Sequence, residues 1–277
     1  MKLGIVPKLN SVEALQLAKL VLKHAESKGL AVYLDSRARD LLTWDKFFQL
    51  GRDQLDMLVV IGGDGTVLNT LHLLKDAEVP VATIRYGRRG FLCDVPPFEY
   101  SEMIARIASG DYRLVEYMRL EGSVRGVTDI PPALNELAIV SSGSGRAKVI
   151  RLYVQKDGEE LYRRLVGDGL IVATPVGSTA YSLAVGGPIL DPLMDALVLT
   201  PLASITLCTR PVVLPSQSEV AVTVSRDSPE AVLIVDGAYS VPLKPRDSVI
   251  IRKYPKPARF ARFYVGDYYV KIFERCL

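Results

Sequence analysis

Histidine, cysteine and asparagine are scarce in this sequence of 277 residues, and each shortage removes a class of chemistry. His24 and His72 are the only histidines, each flanked by aliphatics in a helix-like stretch. A Ser/His/Asp triad or a histidine metal site would need a supporting cluster that the sequence does not supply. Cys93, Cys208 and Cys276 are odd in number and lack CxxC spacing, so neither a disulfide framework nor a zinc site is indicated. No apolar run approaches the ~20 residues that span a bilayer, and residues 1–10 lack the apolar centre of a secretory signal, so a cytoplasmic protein is expected. No strong excess of one charge exists either. The 34 basic and 31 acidic residues leave a net charge of +3 without a basic stripe, which argues against a nucleic-acid partner. Asparagine occurs only at Asn10, Asn69 and Asn135 while charged residues reach 23%, a balance that leans towards a thermophilic source.

What is present is a large apolar fraction, 49%, in a chain longer than one average domain. The first part reads as alternating strands and helices. Residues Lys2 to Val6 form a short apolar strand, and Asn10 with Glu13 resembles a helix start ahead of Leu15, Ala18, Leu22 and Ala25. Lys28 and Gly29 close that helix. A strand over 30–34, a helix over 37–50, a buried strand over 56–61, a helix over 67–75 and a strand over 79–84 follow. This order predicts a parallel sheet with helices on both faces. From Tyr112 the pattern changes to short β-like runs punctuated by turns such as Lys156, Asp157, Gly158, predicting a mostly antiparallel all-β second domain. The expected division is an α/β phosphate-binding domain over 1–110, with the tail 263–277 returning to it, and a β-rich domain over 111–262.

The strongest chemical signal is the buried strand running directly into Gly62, Gly63, Asp64, Gly65, Thr66 and then a helix. Glycines after a strand let backbone N–H groups approach phosphate oxygens, and the helix N-terminus adds positive partial charge. The spacing matches neither GxGxxG nor GxxxxGK[ST]. Asp64 would repel phosphates unless it serves as a base on a hydroxyl or acts through a cation. A tight turn with Asp64 capping the helix fits the same residues.

A second cluster begins at Asp168 and Gly169 and continues past a strand into Thr174, Pro175, Val176, Gly177, Ser178, Thr179, Ala180, Tyr181 and Ser182. Its hydroxyls suit a ribose or an amide, and Tyr181 can stack on a ring. A Ser/Thr-capped helix is the alternative. Asn135 and Glu136 interrupt an apolar β-like run and therefore need partners, either a nucleoside or the solvent beside an edge strand.

Taken together, GGDGT at 62–66, NE at 135–136 and DGLIVATPVGSTAYSLAVGGPI at 168–189 resemble the NAD kinase family. The likeness continues through Thr200, Pro201, the run 210–214 and Asp236, Gly237, and so covers most of the chain. The GGDG run alone is shared with diacylglycerol and sphingosine kinases; the GSTAYS block after DG makes the match specific. The resemblance implies transfer of a terminal phosphoryl group, usually from ATP with a divalent cation such as Mg²⁺, to the 2′-hydroxyl of the adenosine ribose of NAD. On that reading Asp64 is the catalytic residue, taking the hydroxyl proton or orienting the hydroxyl, Gly62, Gly63, Gly65 and Thr66 carry phosphates, and no protein side chain is assigned as a metal ligand. Phe91, Asn135, Glu136, Asp168, Thr174, Thr179, Ala180, Tyr181 and Ser182 contact or shape the NAD pocket. A homodimer or homotetramer is expected. The chain departs from the family pattern at Val176, Ile205 and Ala238 and carries extra positive charge at Arg85, Arg88 and Arg89, with Arg146 as a weaker phosphate candidate. A lipid kinase would need an acyl pocket and leaves Thr179 to Ser182 unexplained, and a nucleotide sensor without turnover is at odds with the retained Asp64.

Overall fold

A computed structural model describes residues 1–75, 78–86, 90–142, 149–206, 208–264, 269, 270 and 272. Arg88, Arg89, Arg146, Cys276 and most of the expected terminal tail lie outside the described residues. The chain forms two compact units, one of residues 1–116 with 258–277 and one of residues 117–257.

In the first unit, β1 (Lys2–Pro7), β2 (Ala31–Asp35), β3 (Phe47–Phe48), β4 (Met57–Gly62) and β5 (Val81–Arg85) run parallel in the spatial order β3-β2-β1-β4-β5. The strand Ala258–Arg262 adds parallel to β5, and β6 (Arg113–Tyr117) closes the far edge. Every residue of β4 is buried, as expected for a strand covered on both faces. Register aligns the carboxyl ends of the strands. Ile61 pairs with Pro7 and Gly62 with Arg85, so Pro7, Asp35, Gly62 and Arg85 lie along one edge of the sheet.

Helix α1 (Val12–Ser27) packs Ala14, Ala18, Val21, Leu22 and Ala25 into the core. Its N-cap is Ser11, whose hydroxyl accepts the Ala14 N–H at 3.2 Å, so Asn10 is left outside the helix. Helices α2 (Asp64–Leu74) and α3 (Tyr100–Ser109) complete the layer set. No helix among the described residues is long and apolar enough to cross a membrane.

The helix expected over 37–50 does not form. A single turn, Ser36–Ala38, is followed by the two-residue strand β3. Trp44 and Phe47 pack against the core, Phe48 is buried, and the Trp44 indole donates to the Val32 carbonyl at 3.4 Å. Aromatic and β-branched residues are weak helix formers, and here burial of three rings against the sheet edge overrides the local pattern.

Among the described residues the strands of the second unit pair antiparallel. One sheet orders the strands Glu159–Gly167, Ile150–Lys156, Val220–Val224, Ser248–Lys253 and Leu120–Val124. The other orders Val212–Pro215, Ala196–Leu202, Gly169–Ala173, Glu136–Ser141, Ala231–Val235 and Tyr239–Leu243. Leu137, Ile139, Leu170, Val172 and Leu233 face a core shared with Leu152, Val222 and Val249 of the first sheet. Alternate residues Ala138, Ile171 and Ala173 pack on the opposite face with Leu190 and Val198. The central strands are therefore buried on both faces, which explains their unbroken apolar sequences.

Candidate active site

The loop after β4 places Gly63 as the N-cap of α2, with no side chain to satisfy the first N–H groups. Asp64 is the first helical residue and does not cap the helix through its side chain. Its carboxylate instead accepts the backbone N–H of Phe91 at 2.7 Å and of Leu92 at 3.0 Å. The same loop is anchored twice more: Cys93 Sγ donates to the Gly62 carbonyl at 3.4 Å, and Arg262 Nη1 donates to the Leu92 carbonyl at 2.7 Å. Phe91 thus reaches the site through its amide. Gly62 is fixed by space: a Cβ there would lie 2.4 Å from Thr66 Oγ1.

In a sheet ordered β3-β2-β1-β4-β5, β1 and β4 flank the point where the winding direction reverses. Open parallel sheets bind ligands in the crevice at that point, beyond the strands' carboxyl ends. A cavity of about 510 Å³ lies there, lined by Lys8, Asn10, Arg37, Gly63, Thr66, Asn69 and Tyr86 among others. Its size is that of a small-molecule pocket. Lys8, Asn10 and Arg37 are absent from the sequence-derived site. The signal that would have found them is positional, since each follows the carboxyl end of β1 or β2.

Within the second unit, the Asp236 carboxylate gathers the N–H groups of Leu134 at 2.9 Å, Asn135 at 2.8 Å and Glu136 at 3.0 Å. Asp236 sits at φ 46 in the turn that joins Ala231–Val235 to Tyr239–Leu243, with Gly237 at φ 67. In the sequence it stands out only through the family resemblance, yet it orders the Asn135–Glu136 pair. Thr174 donates its hydroxyl to the Leu134 carbonyl at 2.6 Å and accepts the Gly177 N–H at 3.0 Å. Gly177 rests against the Asn135 carbonyl so closely that a Cβ would come within 1.9 Å of the oxygen.

The hydroxyls of the 174–182 segment turn inward. Thr179 donates to the Val176 carbonyl at 3.1 Å, and Ser182 shares a hydrogen bond of 2.7 Å with Thr200. Buried hydroxyls must find partners, so these residues shape the segment before they can serve any ligand. Ala180 is half-buried and Tyr181 is 43% exposed, leaving its ring accessible.

Glu136 is 6% exposed, and its Oε2 has no hydrogen-bond partner among the described residues. Burial first, and the Asp236 charge second, push its carboxyl up to about 8 against a contrary pull from the Tyr181 backbone N–H. Asp168 stands elsewhere. It precedes the strand Gly169–Ala173, whose other end carries Thr174, so at ~3.3 Å per residue the two lie about 20 Å apart. Its side chain is exposed.

Against family models, residues 3–112 match the ATP-NAD kinase N-terminal domain and residues 134–263 the ATP-NAD kinase C-terminal domain. The chain belongs to the ATP-NAD kinase family. Its relatives include the NAD kinase of Thermococcus kodakarensis, 37% identical over 266 residues, covering 95% of this chain and 94% of that protein. The NAD kinase of Aeropyrum pernix is 38% identical over 282 residues, covering 99% and 97%. Among solved structures, an NAD kinase from Archaeoglobus fulgidus in complex with ATP superposes with a TM-score of 0.80 at 26% identity, covering 99% of this chain and 98% of that one. Yeast NADH kinase complexed with NADH gives 0.86 at 23% identity, covering 99% and 86%, and speaks to the fold alone.

Proposed function

We propose that this kinase transfers the terminal phosphoryl group of ATP to the 2′-hydroxyl of the adenosine ribose of NAD, giving NADP and ADP, with Asp64 as the base. The observation that carries the assignment is Asp64 itself: a half-buried carboxylate between two cavity-lining glycines, at the sheet's reversal point, aimed by two backbone N–H groups. Two amide bonds leave a carboxylate with free lone pairs, since its oxygens accept at about four positions. One of these takes the ribose hydroxyl proton as the 2′-oxygen bonds to phosphorus and the bond to the donor's bridging oxygen breaks. The uncapped start of α2 and the exposed Lys8 on the cavity neutralise charge on the phosphates, the main requirement of phosphoryl transfer.

Within the second unit, acceptor binding falls to Asn135, Glu136, Ala180 and Tyr181, on a segment that Thr174, Thr179 and Ser182 shape through their internal hydrogen bonds. Tyr181 offers a ring to a base, and Asn135 and Glu136 offer polar groups held in place by Asp236. A divalent cation, such as Mg²⁺, is proposed to arrive on the donor. Among the described residues no cluster of three His, Cys, Asp or Glu side chains forms a ready cage, and Mg²⁺ is commonly held by substrate phosphates with one or two carboxylates. When bound, it would neutralise phosphate charge, with Asp64 the carboxylate at the loop.

We also propose a cytoplasmic homodimer or homotetramer. An exposed Asp168, remote from Thr174 on its own strand, fits an assembly in which a second copy adjoins the NAD pocket.

The test is direct. The purified chain with ATP, Mg²⁺ and NAD should form NADP, detected by an NADP-specific dehydrogenase. No product with ATP, other nucleoside triphosphates or polyphosphate would overturn the assignment.

A further inference from the structure

Arg37 is an unusual wall for a cavity because its side chain is already fixed. Asp35, the last residue of β2, is 1% exposed and accepts the Arg37 backbone N–H at 3.0 Å. It also accepts Nε at 3.1 and 3.0 Å and Nη2 at 2.5 Å. One edge of the guanidinium is therefore consumed by the carboxylate, while the side chain keeps 33% exposure on the cavity wall. The Nη1 nitrogen has no acceptor among the described residues.

A guanidinium has five N–H donors in a rigid plane, and a carboxylate on one edge leaves the other edge for a second oxyanion. The rotamer entropy that a free arginine loses on binding phosphate has here been lost on folding. Lys8, on the same cavity, is exposed and contributes a mobile charge instead. The two cations thus act differently. Asp35 cancels the net charge of Arg37, so Arg37 offers directed hydrogen bonds, whereas Lys8 offers an electrostatic field that salt screens.

We propose that Arg37, braced by Asp35, binds the polyphosphate chain of the phosphoryl donor in the cavity beside Gly63 and Thr66, and so determines donor affinity. This rests on the kinase assignment above. Arg37 is a donor-binding residue and Asp35 a positioning residue that acts through it. The occupant is a chain of phosphates, whether from a nucleoside triphosphate or from inorganic polyphosphate.

The experiment compares the full-length wild type with Arg37→Gln, Arg37→Lys, Asp35→Asn and the double variant. Donor KM, NAD KM and kcat are measured for ATP and for polyphosphate, and the Kd of a non-hydrolysable ATP analogue by calorimetry. Arg37→Gln should raise donor KM and analogue Kd about tenfold, the loss of one charge-assisted contact. NAD KM should stay within about twofold. Arg37→Lys should recover only part of the loss. Asp35→Asn should raise donor KM while Arg37 is present and add little to Arg37→Gln, a coupling that mere structural damage would not produce. The Arg37 effect should persist towards ~1 M salt, where the effect of Lys8→Met fades. Where Asp35→Asn fails to fold, the Arg37 variants carry the test alone. Unchanged donor KM and analogue Kd in Arg37→Gln, or a rise confined to NAD KM, would overturn the proposal. A shift with polyphosphate as well as ATP identifies the phosphate chain as the bound part, and a shift with ATP alone overturns that assignment in favour of the nucleoside. If wild type turns over no donor, the kinase assignment fails separately, and the analogue Kd still reads Arg37.

Discussion

The backbone N–H of Phe91 points at the Asp64 carboxylate from 2.7 Å, and Leu92 adds a second amide at 3.0 Å. Phe91, which the family resemblance places beside the substrate, therefore gives its main chain to the Asp64 carboxylate. Both donors are neutral main-chain amides, and together they fix the direction in which the carboxylate faces.

Replacing Asp64 by Asn tests the base directly. The amide keeps an oxygen for one of the two N–H groups, sets its NH2 against the other, and cannot accept the hydroxyl proton. We expect kcat to fall by about 10²–10⁴, the usual worth of general-base catalysis, with NAD Kd within a few-fold of wild type by calorimetry. Near-normal turnover would remove Asp64 from the base role and leave the kinase assignment standing.

Gly90→Ala is a gentler probe of the same geometry. A Cβ at residue 90 would stand 2.9 Å from Asp64 Oδ1. The carboxylate must shift, and its two amide bonds oppose the shift. A displacement of well under 1 Å is expected to lower kcat by roughly tenfold, since catalytic groups tolerate little misplacement. The melting temperature should move little, because one side-chain end relieves the crowding. Unchanged kcat would show that the position of Asp64 is not critical.

Gly177→Ala reports on the other half of the chemistry. The added Cβ would lie 1.9 Å from the Asn135 carbonyl oxygen and 2.4 Å from its carbon, both backbone atoms that cannot swing away. The cost should be about 1–3 kcal/mol of stability by chemical denaturation, as for other overpacked sites. NAD affinity should fall with ATP KM unmoved, because Asn135 and Glu136 are displaced together. Equal losses for both substrates would argue against an acceptor-side role for this pair.

Much of this was legible in the sequence where one local signal sufficed. A β4 strand apolar on both faces, ending in GGDGT, announced itself as a buried strand meeting a helix start. Edge elements were harder: Val212–Pro215 and Tyr239–Leu243 are short, contain Pro215 and Pro242, and carry exposed positions. Lys8, Asn10 and Arg37 are scattered in the sequence, and only the order of parallel strands puts them around one cavity. Asp236 is 100 residues from Glu136, and no local pattern connects a turn aspartate to three amides that far away. The 37–50 segment misled because its helical spacing is genuine but its rings are needed elsewhere.

Glu136 yields the pH dependence. Its folded carboxyl is raised to about 8 from an ordinary value of 4.5, so the folded state binds the extra proton between those limits. Stability from this group is then fully present below about 4.5 and is lost as pH rises through the folded value. The expected slope is at most ~1.4 kcal/mol per pH unit, and it ends above about 8, where both states are ionised. Denaturation midpoints measured from pH 5 to 9 should therefore fall for wild type, and the fall should flatten in Glu136→Gln, which stays neutral. In the same window the protonated acid is a hydrogen-bond donor, so NAD affinity should drop above about pH 8 in wild type but not in Glu136→Gln. Parallel profiles for the two proteins would mean that Glu136 is already ionised at neutral pH, and the unpartnered Oε2 would then require another cation or donor beside it.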